Sequence, residues 1–141
     1  MRNIITFTLL ILSIQITASQ SIFGKWKTLN ETGKTESIIK IYKKNGQAYG
    51  KIIEITSKKD RNRVCDKCEG ENKNKPLLGL VFLKGLKLNG KQWEDGEILD
   101  PKSGKIYNCY VTLINNNKLK IRGYIGFSLL GRTEYWYRVK D

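Results

Sequence analysis

Short runs in which apolar and polar residues alternate, separated by Gly, Asn and Asp, dominate the sequence after residue 20. Apolar residues do not recur there at the i, i+3, i+4 and i+7 spacing over a length that would form an amphipathic helix. Alternation is clearest through Tyr107, Cys109, Val111 and Leu113, which fall on one side of an extended chain. The pattern predicts an all-β protein whose strands bury one face.

Eight segments carry this strand pattern, and polar turns connect them. They are residues 24–29, 36–43, 47–55, 78–83, 91–99, 105–114, 118–125 and 132–139. Asn45-Gly46 and Asn89-Gly90 suit tight hairpins, because Asn and Gly tolerate positive φ. Antiparallel neighbours joined by hairpins, with no crossover helix, favour a single up-and-down β-barrel, since closure removes exposed strand edges. A two-sheet sandwich is the alternative architecture.

The first 19 residues have the organisation of a secretory signal peptide. Arg2 supplies a positive start, residues 4–16 are mostly Ile, Leu and Phe, and the small residues 17–19 follow. The apolar run is shorter than a membrane span and is interrupted by Thr, Ser and Gln. We therefore expect cleavage after the signal peptide 1–19, one β-barrel domain over 20–141, and a mature protein that is periplasmic or secreted.

The basic charge of the chain is compatible with an anionic envelope surface as a partner, whereas nucleic acid is disfavoured. The chain has 26 basic and 13 acidic residues, and the basic ones are spread over nearly every segment. Such a field attracts anionic lipid, acidic glycans or nucleic acid. Nucleic-acid binding is disfavoured by the expected export and by the lack of a long basic helix or an RNA-binding motif. An envelope-associated protein that uses a basic surface to hold anionic lipid or a protein partner stays open as an alternative.

The lack of histidine restricts catalysis. Without His, Ser-His-Asp and Cys-His catalysis, imidazole acid–base chemistry and His-ligated metals are excluded. Acidic residues cluster at 94–100 and 66–71, but both segments are rich in turns and contain Lys, so their carboxylates are expected to be solvated. The sequence therefore predicts a protein that is not an enzyme and has no cofactor or metal.

Cys65 and Cys68 form the sharpest local pattern, inside the polar stretch 56–76 that is expected to be a surface loop. Three hypotheses compete: a structural disulfide, a redox-active pair, and two zinc ligands joined by Cys109. The oxidising environment outside the cytoplasm favours the disulfide. Redox activity calls for a helix that starts at the first cysteine, which the polar residues after Cys68 do not support. Cys109 is expected to be a buried free thiol, with a bond to either loop cysteine as the alternative.

Gly24-Lys25-Trp26 has the Gly-x-Trp form seen where lipocalins begin their barrel. There the tryptophan closes one end of the barrel, and a late arginine packs on its indole ring. Arg132 and Arg138 are the candidates for that arginine, and Trp26 with Arg138 is predicted as the barrel-closing pair.

Five segments together carry a family pattern. They are 24–26 (GKW), 46–51 (GQAYGK), 64–76 (VCDKCEGENKNKP), 98–107 (ILDPKSGKIY) and 123–133 (GYIGFSLLGRT), the last followed by Trp136 and Arg138. Together they resemble the bacterial domain of unknown function 2147 family, over residues 24–139. Asn30 departs from the pattern, which has an acid there. The resemblance implies a small exported protein with a lipocalin-like, or calycin-like, barrel and a characteristic loop around Cys65 and Cys68, and it brings no established activity.

The leading hypothesis is a non-catalytic binding module, because an eight-stranded barrel either holds one small ligand or fills its interior with side chains. The expected ligand is apolar or lipid-like, and the protein is expected to be a monomer. The predicted ligand-binding residues form an apolar lip and part of the last strand: Phe127, Leu129, Leu130, Arg132, Tyr135 and Trp136. Arg132 is expected to pair with a ligand carboxylate. A thiol redox protein built on Cys65 and Cys68 is a further alternative.

Overall fold

Eight antiparallel strands close into one barrel in the computed structural model, which describes residues 21–140. The strands are β1 (Gly24–Leu29), β2 (Thr35–Lys44), β3 (Gln47–Ile55), β4 (Val81–Asn89), β5 (Gln92–Leu99), β6 (Ile106–Asn115), β7 (Lys118–Tyr124) and β8 (Gly131–Arg138). Each strand pairs with its neighbours in sequence, and β8 returns to β1. The predicted all-β, up-and-down barrel is confirmed. The predicted signal peptide at 1–19 lies outside the described residues.

The fourth strand differs from its predicted position. The sequence pattern placed it at residues 78–83, whereas β4 spans Val81–Asn89. The chain first turns at Gly79, whose φ of 88° is rarely adopted by other residues, and the Leu80 amide donates to the Leu77 carbonyl. The second half of β4 was missed because Lys84, Gly85 and Lys87 interrupt the apolar alternation.

Connections at the two ends of the barrel differ in length. At one end, here called the closed end, short turns join β2 to β3, β4 to β5, and β6 to β7. Asn45 and Gly46 have φ of 51° and 77°, the positive pair that a tight hairpin of matching twist requires. At the other end, here called the open end, residues 30–34, 56–80, 100–105 and 125–130 connect the remaining strands.

The longest connection, residues 56–80, is less exposed than its polar sequence suggested. It contains two short 3-10 turns, and its Cys65 and Cys68 are both buried and joined by a disulfide. The loop packs against the β5–β6 connection, where a Cβ on Gly104 would collide with the Lys67 backbone carbonyl. The expected surface loop is thus partly an internal one, anchored through its cysteines.

Inward-facing side chains fill the barrel near the closed end. The buried core there includes Trp26, Ile41, Leu86, Val111 and Leu119. The described residues contain no helix that is long and apolar enough to cross a membrane. Packing is therefore dense toward one end of the barrel, and the space that remains lies toward the other.

Candidate ligand-binding cavity

The open end leads into a cavity of about 750 Å³. Its walls are mostly apolar side chains that point inward from the strands and from the long loop: Ile39, Ile52, Ile55, Leu77, Phe82, Ile98, Leu99, Tyr107, Ile121 and Trp136. Cavities of roughly 300–1,000 Å³ with such walls are typical of small-molecule sites. Side chains therefore do not fill the barrel interior completely.

Strand alternation decides which predicted residues reach this cavity. In β8, Arg132, Glu134 and Trp136 line it, because every second residue of a strand faces the same side. Tyr135 has the opposite parity and lies on the outer surface, where the Lys118 ammonium is 4.4 Å from the centre of its ring. The expectation that Tyr135 contributes to the cavity is therefore not met.

The predicted apolar lip is present but only partly faces the cavity. Phe127, Leu129 and Leu130 are all exposed, Leu129 to 83 %. Leu130 lines the cavity mouth, whereas Phe127 and Leu129 do not. The Arg122 guanidinium holds this connection from outside by donating to the backbone carbonyls of residues 128 and 129. The tip of the lip therefore extends beyond the mouth into solvent.

Charged side chains at the cavity rim are balanced and mostly paired with one another. The rim carries four basic and four acidic residues: Lys34, Arg63, Lys102, Arg132, Glu36, Asp60, Asp100 and Glu134. Three ion pairs join six of them, with N–O distances of 3.6 Å for Arg63–Asp60, 3.1 Å for Lys102–Glu36 and 2.8 Å for Arg132–Glu134. Arg132, expected to pair with a ligand carboxylate, already contacts a carboxylate of the protein.

Trp136, a wall residue of the cavity, carries a buried hydrogen-bond donor without a partner. Its side chain is 2 % exposed, and its ring centre lies 5.9 Å from that of Phe82, another wall residue. Among residues 21–140, the Trp136 Nε1 is the one buried side-chain nitrogen or oxygen without a hydrogen-bond partner. A buried N–H that lacks an acceptor costs about 1–3 kcal/mol, so this atom lowers the stability of the fold.

Trp26 and Arg138 lie at the closed end and are fully engaged. The Trp26 Nε1 donates to the Ile22 carbonyl at 2.8 Å, and the Arg138 guanidinium carbon lies 4.2 Å from the centre of the indole ring. The same guanidinium donates to the backbone carbonyls of residues 21, 23 and 116. Burial lowers the pKa of Arg138. Arg132, the other candidate, is at the opposite end of the barrel.

The cysteines are arranged as structural groups. Cys65 and Cys68 form the disulfide, and no helix begins at Cys65, since the next 3-10 turn starts at Gly70. Cys109 is buried on the inner face as a free thiol, and burial, followed by the charge of Glu97, raises its pKa to about 12. Within the described part of the chain, no three His, Cys, Asp or Glu side chains are grouped as metal ligands. This geometry gives the redox and zinc alternatives no support.

Most wall residues were not among the predicted site residues. The inward-facing residues Ile39, Ile52, Phe82, Ile98 and Ile121 come from five other strands. Their signal was available, since each is an apolar residue on the inner face of its strand. Which of the inward residues border empty space depends on how completely their neighbours fill the barrel, and single-strand patterns do not report that.

Comparisons with known proteins agree with this architecture. The family model described as "Uncharacterized protein conserved in bacteria (DUF2147)" matches residues 24–138, so the chain belongs to that family, as its motifs predicted. A solved structure described as "Protein HP1028 from the human pathogen Helicobacter pylori belongs to the lipocalin family" superposes with a TM-score of 0.75 at 22% identity. The match covers 87% of this chain and 86% of that chain, which makes the fold lipocalin-like. No curated protein matches the chain.

Proposed function

We propose that this DUF2147 protein binds one small, mainly apolar molecule in the cavity at the open end of its barrel and does not transform it. The observation that carries the proposal is the cavity of about 750 Å³ with apolar walls. An eight-stranded barrel is able to fill its interior with side chains, and this one leaves a ligand-sized space. The lipocalin-like fold supports the same function.

The apolar wall is sufficient for useful affinity. A micromolar dissociation constant corresponds to about −8 kcal/mol, and burying one CH₂ group contributes about 0.8 kcal/mol. Ten such groups account for that figure, and a few more offset part of the freedom lost on binding. An unbranched chain of roughly 12 to 16 carbons therefore meets the requirement.

The direct test is titration with the neutral fluorescent probe N-phenyl-1-naphthylamine, followed by its displacement with long-chain compounds. We expect saturable binding with a dissociation constant below about 100 μM, equivalent to roughly −5.5 kcal/mol. Because the probe is uncharged, its affinity should not change between low and high salt. Binding of anionic long-chain compounds that weakens steeply with salt would instead indicate the basic outer surface. No saturable binding of the probe below about 100 μM would contradict the proposal.

A matched pair of leucine substitutions localises the binding. A Cβ on Gly123 would meet Ile98 Cγ2 at 3.6 Å and Tyr107 Cβ at 3.8 Å, ordinary contacts that leave the rest of a leucine to extend into the cavity. We expect Gly123→Leu to weaken probe binding at least roughly tenfold, about 1.4 kcal/mol. Lys120→Leu places the same side chain on the outer face of the same strand and should bind as the wild type does. Equal affinity of both variants would place the probe outside the barrel.

A further inference from the structure

The apolar lip concentrates exposed apolar surface at the open end of the barrel. Its three residues Phe127, Leu129 and Leu130, together with Ile125 just before them, are 59 to 83 % exposed. Among residues 21–140, eleven large apolar side chains are exposed, and eight of them lie in or directly beside the open-end connections. The other three are Leu88, Ile114 and Tyr135. Apolar side chains exposed at this density mark a surface that contacts a membrane or another protein.

Hydrogen bonds hold the lip in its projecting conformation. The Ile125 amide donates to the Leu130 carbonyl, and the Leu130 amide donates to the Phe127 carbonyl, both at 3.0 Å. With the bond from the Phe127 amide to the Ile125 carbonyl and those from the Arg122 guanidinium, five of the six carbonyl oxygens of residues 125–130 accept a hydrogen bond. A segment that leaves water must satisfy its backbone polar groups within the protein, so this loop is suited to an apolar surrounding.

An amphipathic level lies directly below the lip. Tyr124 ends β7 and precedes the lip, and its ring centre is 6.4 Å from that of Tyr110 on the outer face of the barrel. Arg122 has the same parity and also faces outward. Tyrosine and arginine have an apolar body and a polar end, and such side chains are favoured at the boundary between a bilayer and water.

Charge at the open end indicates which kind of bilayer fits. The four open-end connections contain ten basic and six acidic residues, and the whole chain has a net charge of +13. Anionic phospholipids attract basic residues that lie near the membrane surface. The open end therefore combines a projecting apolar loop with a charge complementary to an anionic bilayer.

We propose that the apolar lip inserts into the surface of a bilayer that contains anionic phospholipid, with Arg122 and Tyr124 at the level of the head groups. The cavity mouth, which Leu130 lines, then faces the bilayer. A second copy of the chain is a poorer occupant of the lip. At their observed exposure, four apolar side chains fall short of the roughly 800 Å² that each partner buries in a stable interface, and two basic copies repel each other.

The test is flotation with vesicles, using protein purified from cells that express the full chain, in the form those cells make. We expect vesicles of phosphatidylethanolamine and phosphatidylglycerol to bind the protein at least roughly tenfold more tightly than vesicles of phosphatidylcholine alone. Replacing Phe127 and Leu129 together with threonine should weaken binding to the anionic vesicles at least roughly tenfold, because binding scales with the apolar area that inserts. The matched control replaces Leu88 and Ile114, which are exposed at the closed end, with threonine and should bind as the wild type does.

Two further measurements show that the lip variant is folded and that the lip is the part that inserts. Without vesicles, the lip variant should bind N-phenyl-1-naphthylamine as the wild type does, since neither Phe127 nor Leu129 lines the cavity. In a Cys109→Ala background, the environment-sensitive fluorophore NBD is attached at Ser128→Cys in the lip or at Lys91→Cys in the closed-end turn. Anionic vesicles should shift the emission to the blue and intensify it at residue 128 and leave it unchanged at residue 91.

Each other outcome overturns the inference. Equal vesicle affinities of the lip variant and the wild type, or equal fluorescence changes at residues 128 and 91, would assign any binding to the basic surface outside the lip. A lack of binding to anionic vesicles at about 1 mM lipid would contradict insertion directly. A dimer in analytical ultracentrifugation that is lost in the lip variant, together with no vesicle binding, would assign the lip to a second copy. The proposed function is tested separately by probe titration without vesicles and does not depend on these results.

Discussion

Two buried tryptophans lie inside the barrel, and their surroundings differ. Trp26 donates its N–H to a backbone carbonyl, lies beneath Arg138 and closes its end. Trp136 is equally buried, but its N–H has no partner in the described chain and its ring borders open space. Equal burial therefore does not imply equal surroundings. The difference lies in whether the protein itself satisfies the polar atom.

The largest expected effect is the contrast between Trp26→Phe and Trp136→Phe in unfolding by urea. Trp26→Phe leaves the buried Ile22 carbonyl unpaired and weakens the contact with Arg138, so it should cost roughly 3 kcal/mol of unfolding free energy. Trp136→Phe removes an unpaired donor along with part of the ring, so it should cost less than about 1 kcal/mol. Equal costs would show that the two tryptophans do not differ in role.

The two arginines near these tryptophans should differ in the same way. Arg138→Lys removes the planar group that donates to three backbone carbonyls and covers the indole, and it should lower the unfolding free energy by about 2 kcal/mol. Arg132→Lys changes an exposed ion pair and should stay within about 0.5 kcal/mol of the wild type. Urea unfolding measures both costs. A large cost for Arg132→Lys would contradict the claim that the ion pairs at the rim contribute little to stability.

Removing the disulfide shows how much it stabilises the long loop at the open end. Because Cys65 and Cys68 close a very short loop, replacing both with alanine should cost about 2 kcal/mol or less of unfolding free energy. Probe affinity should fall as well, since Arg63 and Leu77 line the cavity and the Leu77 amide donates to the Arg63 carbonyl across the base of this loop. Urea unfolding and probe titration, each carried out with and without reductant, measure the two effects. In Cys109→Ala the response to reductant should match that of the wild type.

The smallest effect comes from the buried Cys109 thiol. Burial raises the pKa of Cys109 from about 9 to about 12, so the folded state keeps the thiol protonated where the unfolded chain loses the proton. The contribution of the thiol to stability is therefore fully present below pH 9 and is lost between pH 9 and 12, by about 1.4 kcal/mol at pH 10. Burial and Tyr49 also raise the pKa of Tyr42, so the measurement is the difference between wild type and Cys109→Ala. If the stability of wild type and Cys109→Ala depends on pH in the same way, the thiol is not the cause of the loss.

Local patterns predicted the barrel better than they predicted the cavity. Strand alternation and Asn-Gly turns are short-range signals, so β1 and β3 were predicted to the residue. Tyr135 was assigned to the wrong face although its parity with Trp136 is visible in the sequence. The unpaired state of Trp136 could not be predicted, because it depends on the absence of acceptors from distant strands. The hydrogen-bond acceptor of Trp26 is Ile22, which is close in sequence. The contact between Trp26 and Arg138 forms only when the barrel closes and brings the two ends of the domain together.

The seam between β1 and β8 has a consequence for the order of folding. It has two cross-strand pairs, Trp26 with Arg138 and Lys27 with Tyr137, whereas β2 and β3 share eight. Every other pairing joins neighbours in sequence and closes a modest loop, but the seam must bring together the two extremes of the domain, which carries the highest loop-closure entropy. We expect the hairpins to form first and the pairing of β1 with β8 to form last. The contact between the Arg138 guanidinium and Trp26 then forms after the folding transition state. Arg138→Lys should therefore mainly accelerate unfolding and leave the rate of folding nearly unchanged.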